Sequence, residues 1–299
     1  MELKHLETFI TVVRLKSFSK AAEALYMTQP SVTSNIQKLE KDLGTTLLNR
    51  RSRQLTLTTQ GKQLYPLAVE MINLRDLTLN EMSGHKENPS GILEIYASSI
   101  PGQYFLPSII QAFQQQFPSV TFMIRQKDSD EILSDILDGM INCGFTGGII
   151  ESESLDYMNL FSDRLLLITS PDKTIPPSSP VMIESLFTES LILREEGSGT
   201  RKLLENALEK KGLHVSQFSE IIQSDNGNII KKMVQLGIGI SFMSEIAVQQ
   251  EVNQGLLNAY PIQNMDLTRN FTFVASRHRH LSPAEKALKL FLENRQMNE

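Results

Sequence analysis

From Ser17 to Glu40 the chain reads SFSKAAEALYMTQPSVTSNIQKLE, two helix-forming halves around a short turn. The first half, Ser19 to Leu25, is rich in Ala, Glu, Lys and Leu, which favour helix strongly. The second opens at Thr28-Gln29-Pro30. There the Thr28 hydroxyl can cap orphan backbone N–H groups, and Pro30 fits a first turn that does not need its missing donor. Val32, Ile36 and Leu39 fall at i, i+4 and i+7, one buried stripe, which leaves Gln29, Ser31, Thr33, Ser34, Gln37 and Lys38 mostly on the other faces. With a tight turn at Tyr26-Met27, the pattern predicts a helix-turn-helix whose polar side chains bond base edges and phosphates in a major groove.

An ordinary helical hairpin with a polar outer face shares this pattern, and the flanking chain separates the two readings. Leu6, Phe9, Ile10 and Val13 form an amphipathic helix that completes a three-helix core. After the pair, Arg50-Arg51-Ser52-Arg53 is a basic turn running into the alternating Gln54-Leu55-Thr56-Leu57-Thr58, as expected of a hairpin wing on phosphates. Charge agrees when read locally. The chain of 299 residues carries −5 overall, yet residues 1–66 hold six lysines and four arginines against five acids, a balance of +5 that leaves −10 for the rest. A basic head on an acidic body suits a phosphate-binding module attached to something else.

The length predicts two or three domains, and 40% hydrophobic with 21% charged residues is ordinary globular composition. A single cysteine, Cys143, excludes an internal disulfide and argues against a Cys-rich metal site. It falls in the expected strand Met140 to Phe145, where it reads as a small buried hydrophobe ahead of a redox sensor. The start, with Glu2, Lys4, His5 and Glu7, is no signal peptide, and no apolar run reaches membrane-span length, so the expectation is a cytoplasmic protein without a membrane partner. His278 and His280 alternate with arginines as an exposed turn and make a weak metal set.

From about Thr58 to Asn80 the spacing predicts a long helix with an apolar seam of Leu64, Leu67 (or Ala68), Met71 and Leu74, followed by a Gly, Pro and Ser-containing hinge. Strands and helices then alternate. Ile92–Ala97, Val120–Arg125, Met140–Phe145 and Arg164–Thr169 read as strands, and Leu106–Gln116 and Ser129–Leu137 as helices. This texture implies an α/β body with a mostly parallel sheet, whose ligands sit at strand carboxyl ends. Three segments stand out. Ser98-Ser99-Ile100-Pro101 follows the first strand and, taken alone, is a plain turn. Gly144-Phe145-Thr146 precedes paired glycines that permit close backbone approach. Gly197-Ser198-Gly199-Thr200 opens a helix whose unpaired N–H groups favour an anion, and Asn226 opens another. No nucleophile–base pair can be identified from spacing, and Ser198 lacks a Gly-x-Ser-x-Gly context, which weighs against an α/β enzyme.

The residues Leu6-Glu7-Thr8-Phe9, Ser17 to Leu25, Thr28-Gln29-Pro30-Ser31-Val32-Thr33, Ile36, Leu39-Glu40, Leu43-Gly44, Leu47, Arg50, Arg53, Leu57-Thr58 and Gly61 closely resemble the LysR-type transcriptional regulators. Leu48, Gln60 and Asn142 depart from that pattern, where Phe, Ala and Asp are usual. The resemblance implies a winged helix-turn-helix over residues 1–58, a dimerising linker helix and hinge over 59–90, and a two-lobed effector domain like a type 2 periplasmic binding protein over 91–299. Lobe I would hold 91–162 and 268–299, and lobe II 163–267. DNA would be read by Thr28, Gln29, Pro30, Ser31, Thr33 and Ser34, with Lys38, Arg50 and Arg53 on phosphates. Ser98, Ser99, Ile100, Pro101, Gly144, Phe145, Thr146, Gly197, Ser198, Gly199, Thr200 and Asn226 would bind a small anionic co-inducer, with no resident cofactor. Implied partners are double-stranded DNA bearing an interrupted inverted repeat, further copies of the chain in a homodimer and a homotetramer, and RNA polymerase. Arg194 to Arg201 further resembles regulators of sulfur metabolism. The rivals are a constitutive repressor with a non-sensing body and, for the C-terminal half alone, a secreted binding protein.

Overall fold

The computed structural model describes residues 1–49, 55–82, 89–173, 175 and 181–296. Its head is three helices, α1 (Leu3–Leu15), α2 (Phe18–Ala24) and α3 (Gln29–Leu43), followed by an antiparallel pair, β1 (Leu48–Asn49) and β2 (Thr56–Leu57). Thr28 caps α3 as expected, accepting from the Ser31 N–H, and Ser17, which the sequence reading did not assign, caps α2 by accepting from the Lys20 N–H. Leu6, Phe9, Val32, Ile36 and Leu39 are fully buried together. Asn35 is buried as well, its Nδ2 donating to Thr8 Oγ1 at 3.0 Å, which ties α3 to α1. The basic turn of the wing, with Arg50 and Arg53, lies outside the described residues.

Helix α4 (Thr59–Met82) has two apolar faces. Tyr65, Ala68 and Val69 are buried in the head core, while Leu67, Met71 and Leu74 are exposed. Of the two alternatives at the middle of the seam, Ala68 therefore faces in and Leu67 out. The hinge at 83–88 lies outside the described residues.

The body runs β3 (Gly91–Ala97), α5 (Leu106–Gln116), β4 (Val120–Gln126), α6 (Ser129–Leu137), β5 (Cys143–Thr146), β6 (Leu155–Thr169), β7 (Ser190–Arg194), α7 (Gly199–Glu209), β8 (Glu220–Ser224), α8 (Gly227–Gln235), β9 (Ser241–Ser244), α9 (Glu245–Asn253), β10 (Asn258–Tyr260), β11 (Thr268–Ser276) and α10 (Pro283–Gln296). In lobe I, β4, β3 and β5 are parallel, with β11 antiparallel beside β5. In lobe II, β7 and β8 are parallel, while β9 and β10 run antiparallel to β6. Strands β6 and β11 cross between the lobes as a long antiparallel pair, so the sheet is mixed instead of mostly parallel. Each lobe has its own core, one around Phe113, Phe145 and Phe273 and the other around Leu167, Leu191 and Phe242.

One expected strand is shorter than its apolar run. β5 begins at Cys143 because the chain first turns off α6 at Gly139 (φ +71°), with the Met140 N–H donating to the Asp135 carbonyl. Met140 instead packs against the head core. Cys143 is buried in the lobe I core, and burial pushes its thiol well above the usual range. Asn142 is explained by its neighbour. Its Nδ2 donates to both Glu285 oxygens, at 3.0 and 3.3 Å, while that carboxylate accepts the Ser282 N–H at the start of α10. An aspartate there would set two carboxylates together.

At the crossing, Asp163 on β6 and Arg269 on β11 are direct cross-strand partners. Arg269 Nε and Nη2 both donate to Asp163 Oδ2 at 3.1 Å, and Ser244 Oγ donates to Oδ1 at 2.8 Å. Burial lowers the Arg269 pKa, and Asp163 pulls it back up. Asp163→Asn should cost about 3–5 kcal/mol in chemical denaturation, because it leaves Arg269 buried without its counter-charge. A loss under about 1 kcal/mol, the level of an exposed pair, would mean that water reaches the site. Asn142→Asp should be near neutral when the new pair is protonated. Repulsion raises its folded pKa above the unfolded value of about 3.9, so the destabilisation should grow as pH rises above that value. Melting curves from acid to neutral pH test this, and a pH-independent deficit would refute the like-charge account.

Candidate functional site

Two sites are built by this fold. On the head, Thr28, Gln29 and Pro30 are exposed at the start of α3, Ser31, Thr33 and Ser34 are half-buried beside them, and Lys38 is exposed further along. Ser19 Oγ donates to Gln29 Oε1 at 3.1 Å, and Thr28 Oγ1 lies 2.8 Å from Ser31 Oγ. The polar start of α3 is thus held across the turn by α2.

In the body, the cleft between the lobes holds a small cavity that opens to solvent. Lobe I contributes Ser98, Ser99 and Ile100 after β3, Asp128 and Ser129 at the start of α6, and Gly147. Lobe II contributes Arg194 and Glu195 after β7, with Ser198, Gly199 and Thr200 at the start of α7. Arg269 and Phe271 on β11 complete it. The lobes approach closely. A Cβ on Gly199 would lie 3.2 Å from the Gly147 carbonyl carbon, and one on Gly197 (φ +85°) would lie 2.9 Å from the Asp128 carboxylate. An ion pair of 2.6 Å between Lys202 and Asp130 spans the cleft mouth from lobe II to lobe I.

The cavity's donors are unevenly used. Arg194 is bidentate to Glu195 at 2.7 Å and donates from Nη2 to Ser99 Oγ at 3.2 Å. Arg269, already on Asp163, donates from Nη1 to Thr200 Oγ1 at 3.1 Å. Helix caps differ in the same way. Ser17, Thr28, Asp128 and Asn226 each cap their helices, but Ser198, at the N-cap of α7, makes no side-chain cap bond. Ser198, Gly199 and Thr200 of that first turn line the cavity, beside the positive end of the helix dipole.

Of the residues picked out in the sequence, Ser98, Ser99, Ile100, Ser198, Gly199 and Thr200 line this cavity, and Pro101, Gly144, Phe145, Thr146, Gly197 and Asn226 do not. Phe145 and Thr146 lie inside lobe I on β5, where the Thr146 hydroxyl accepts the Gly148 N–H. Asn226 is spent on its own helix, accepting from the Asn228 and Ile229 N–H groups. Sequence reasoning placed the stretch from Leu193 to Arg201 at the cleft without choosing Arg194 or Glu195 as binding residues, and it did not bring Asp128, Ser129, Arg269 or Phe271 to the site. The available signals were an arginine and glutamate flanking the Gly-Ser-Gly-Thr turn and a lone arginine in the otherwise uncharged strand β11.

Head and body also touch. Arg14 at the end of α1 pairs with Glu94 on β3 at 3.7 Å, and Arg125 on β4 pairs with the same carboxylate while donating to the Arg14 carbonyl at 3.1 Å. On α4, Glu70 pairs with His280, and Asn73 Nδ2 donates to the His280 carbonyl at 2.8 Å. The turn at His280 is thus a docking point for the linker helix.

Residues 3–62 match the family described as bacterial regulatory helix-turn-helix protein, lysR family, and residues 86–296 match the LysR substrate binding domain. An uncharacterized HTH-type transcriptional regulator of Methanocaldococcus jannaschii, MJ0300, is 32% identical over 98% of this chain and 97% of its own. The HTH-type transcriptional regulator CysL of Bacillus subtilis is 30% identical over 91% and 90%. A variant of full-length OxyR from Pseudomonas aeruginosa shares the fold with a TM-score of 0.79, at 19% identity, over 98% of this chain and 94% of that one. The chain belongs to the LysR family, as a DNA-binding transcriptional regulator with an effector-binding domain, and not an enzyme.

Proposed function

We propose that this regulator senses a small oxyanion or short carboxylate, of the sulfur-metabolite class, in the cleft between its lobes. The start of α7, uncapped by Ser198 and lying at the cavity with five hydroxyls and two guanidinium groups, carries that reading. The close approach of the lobes, where a Cβ on Gly199 would lie 3.2 Å from the Gly147 carbonyl carbon, favours a ligand of few atoms. Occupancy would pull Ser99 and Thr200 away from Arg194 and Arg269 and shift how the lobes sit on one another. That motion reaches the head through β3, whose one end holds Ser98 and Ser99 and whose middle holds Glu94 against Arg14. Such a shift needs an effector that binds one arrangement better than the other.

The exposed Leu67, Met71 and Leu74 stripe supports pairing of α4 with that of a second copy, giving a homodimer, and a homotetramer as a pair of dimers. Two-fold symmetry in turn suits an interrupted inverted repeat in chromosomal DNA in the cytoplasm, where RNA polymerase would be the further partner.

Two measurements test this. With sulfate, sulfite, thiosulfate and short carboxylates as probes, one oxyanion at about 100 times its Kd should stabilise the full chain by about 2.7 kcal/mol. Thr200→Ala should abolish most of that gain. A panel without effect would leave the constitutive repressor standing. In capture of genomic fragments, Gln29→Ala should relax preference at one base position, by about 1–3 kcal/mol. Lys38→Ala should weaken all duplexes evenly and reduce the salt slope by about 1. Recovery of random fragments by the unaltered chain would refute sequence reading by α3.

A further inference from the structure

We propose that Tyr26, in the turn between α2 and α3, contacts the DNA backbone at the edge of the major groove. The proposal rests on the head's reading of DNA and adds a residue that no argument above required. Tyr26 is 98% exposed, the most open large hydrophobic side chain among the described residues of the head, and its backbone is left-handed at φ +54°. The turn is held there by the Tyr26 N–H on the Glu23 carbonyl at 3.2 Å and the Met27 N–H on the Ala22 carbonyl at 2.8 Å. Glycine or asparagine takes this conformation with little strain, and a bulky aromatic does not. Nor does the ring recover the strain by packing, since almost none of its surface is covered. A local rule broken without gain to the fold marks a residue kept for what it touches in use.

Position names the contact. In a helix-turn-helix the second helix enters the groove by its N-terminus while the first crosses the backbone, so the turn joining them lies along the groove wall. Tyr26 sits two residues before the Thr28 cap, beside the Ser19–Gln29 bond that spans both helices. Its phenol is a neutral donor suited to a phosphate oxygen, and its ring is suited to the adjoining sugar.

The test uses the full chain with Tyr26→Phe and Tyr26→Gly, titrated against a captured specific site and an unrelated duplex at several salt concentrations, with a melting curve for each protein. Tyr26→Phe should weaken both duplexes about threefold to tenfold, the net range of one ordinary hydrogen bond. The salt slope should not change, because a neutral donor releases no counterion. Tyr26→Gly should weaken binding at least as much while melting no lower than the unaltered chain, since the left-handed turn is relieved. Unaltered binding by Tyr26→Gly would overturn the proposal while leaving DNA reading by the head intact. Weaker binding that tracks a lowered melting temperature would overturn it as a folding defect. If the unaltered chain bound neither duplex, the DNA-reading role and this contact would fall together.

Discussion

The Asp163–Arg269 pair is the constraint on which the body depends. It joins the two strands that pass between the lobes at the point where they cross, and it is buried on both sides. A one-residue slip of β11 against β6 would turn Arg269 to the other face of the sheet and break the pair, so the register of the lobes is fixed by charge as well as by packing. The same guanidinium reaches Thr200 at the start of α7 and lies 4.5 Å over the Phe271 ring. The residue that fixes how the lobes are joined is therefore also a wall of the cavity between them.

Coupling to the head has an equally short path. Strand β3 carries Glu94 four residues before Ser98, a span of roughly 13 Å at strand rise. Glu94 is held from two sides, by Arg125 within the body and by Arg14 from the head. Its side chain is only 10% exposed, so this pairing is screened less than a surface ion pair. Helix α4 adds the Glu70 and Asn73 contacts to the His280 turn on one side while its Leu67, Met71 and Leu74 stripe faces away. One helix thus serves docking to its own body and leaves a separate apolar face for another chain.

The head was legible in the sequence almost residue by residue, because its signals are local. Thr28 caps within three residues, and the Val32, Ile36 and Leu39 stripe is a helical period. Helices α5 and α6 likewise carry their own start and stop residues, and their bounds follow from Leu106 to Gln116 and Ser129 to Leu137. What could not be read depends on distant partners. Met140 looks like the start of a strand and is a head contact, because the α6 turn takes precedence over an apolar run. Asn142 is intelligible only once Glu285 is beside it, 143 residues away. Gly197 to Thr200 announced a helix start, but that α7 is left uncapped, and that Arg194 and Arg269 share its cavity, follows from the closure of two lobes.

Charge alone does not select the ligand of that cavity. Arg194 is already neutralised by Glu195, Arg269 by Asp163, and Asp128 adds a further negative group at the wall. An anion entering here finds little net attraction at a distance, and its affinity has to come from short, directed contacts. The sources are the α7 N–H groups, the Ser99, Ser198 and Thr200 hydroxyls, and guanidinium N–H groups not already committed to carboxylates. Such a site discriminates by shape and donor geometry, since a poorly fitting anion leaves buried donors unpaired and pays their desolvation in full. It follows that anions of equal charge and different geometry should differ widely in how far they stabilise the chain, whereas a site working by net charge would rank them alike.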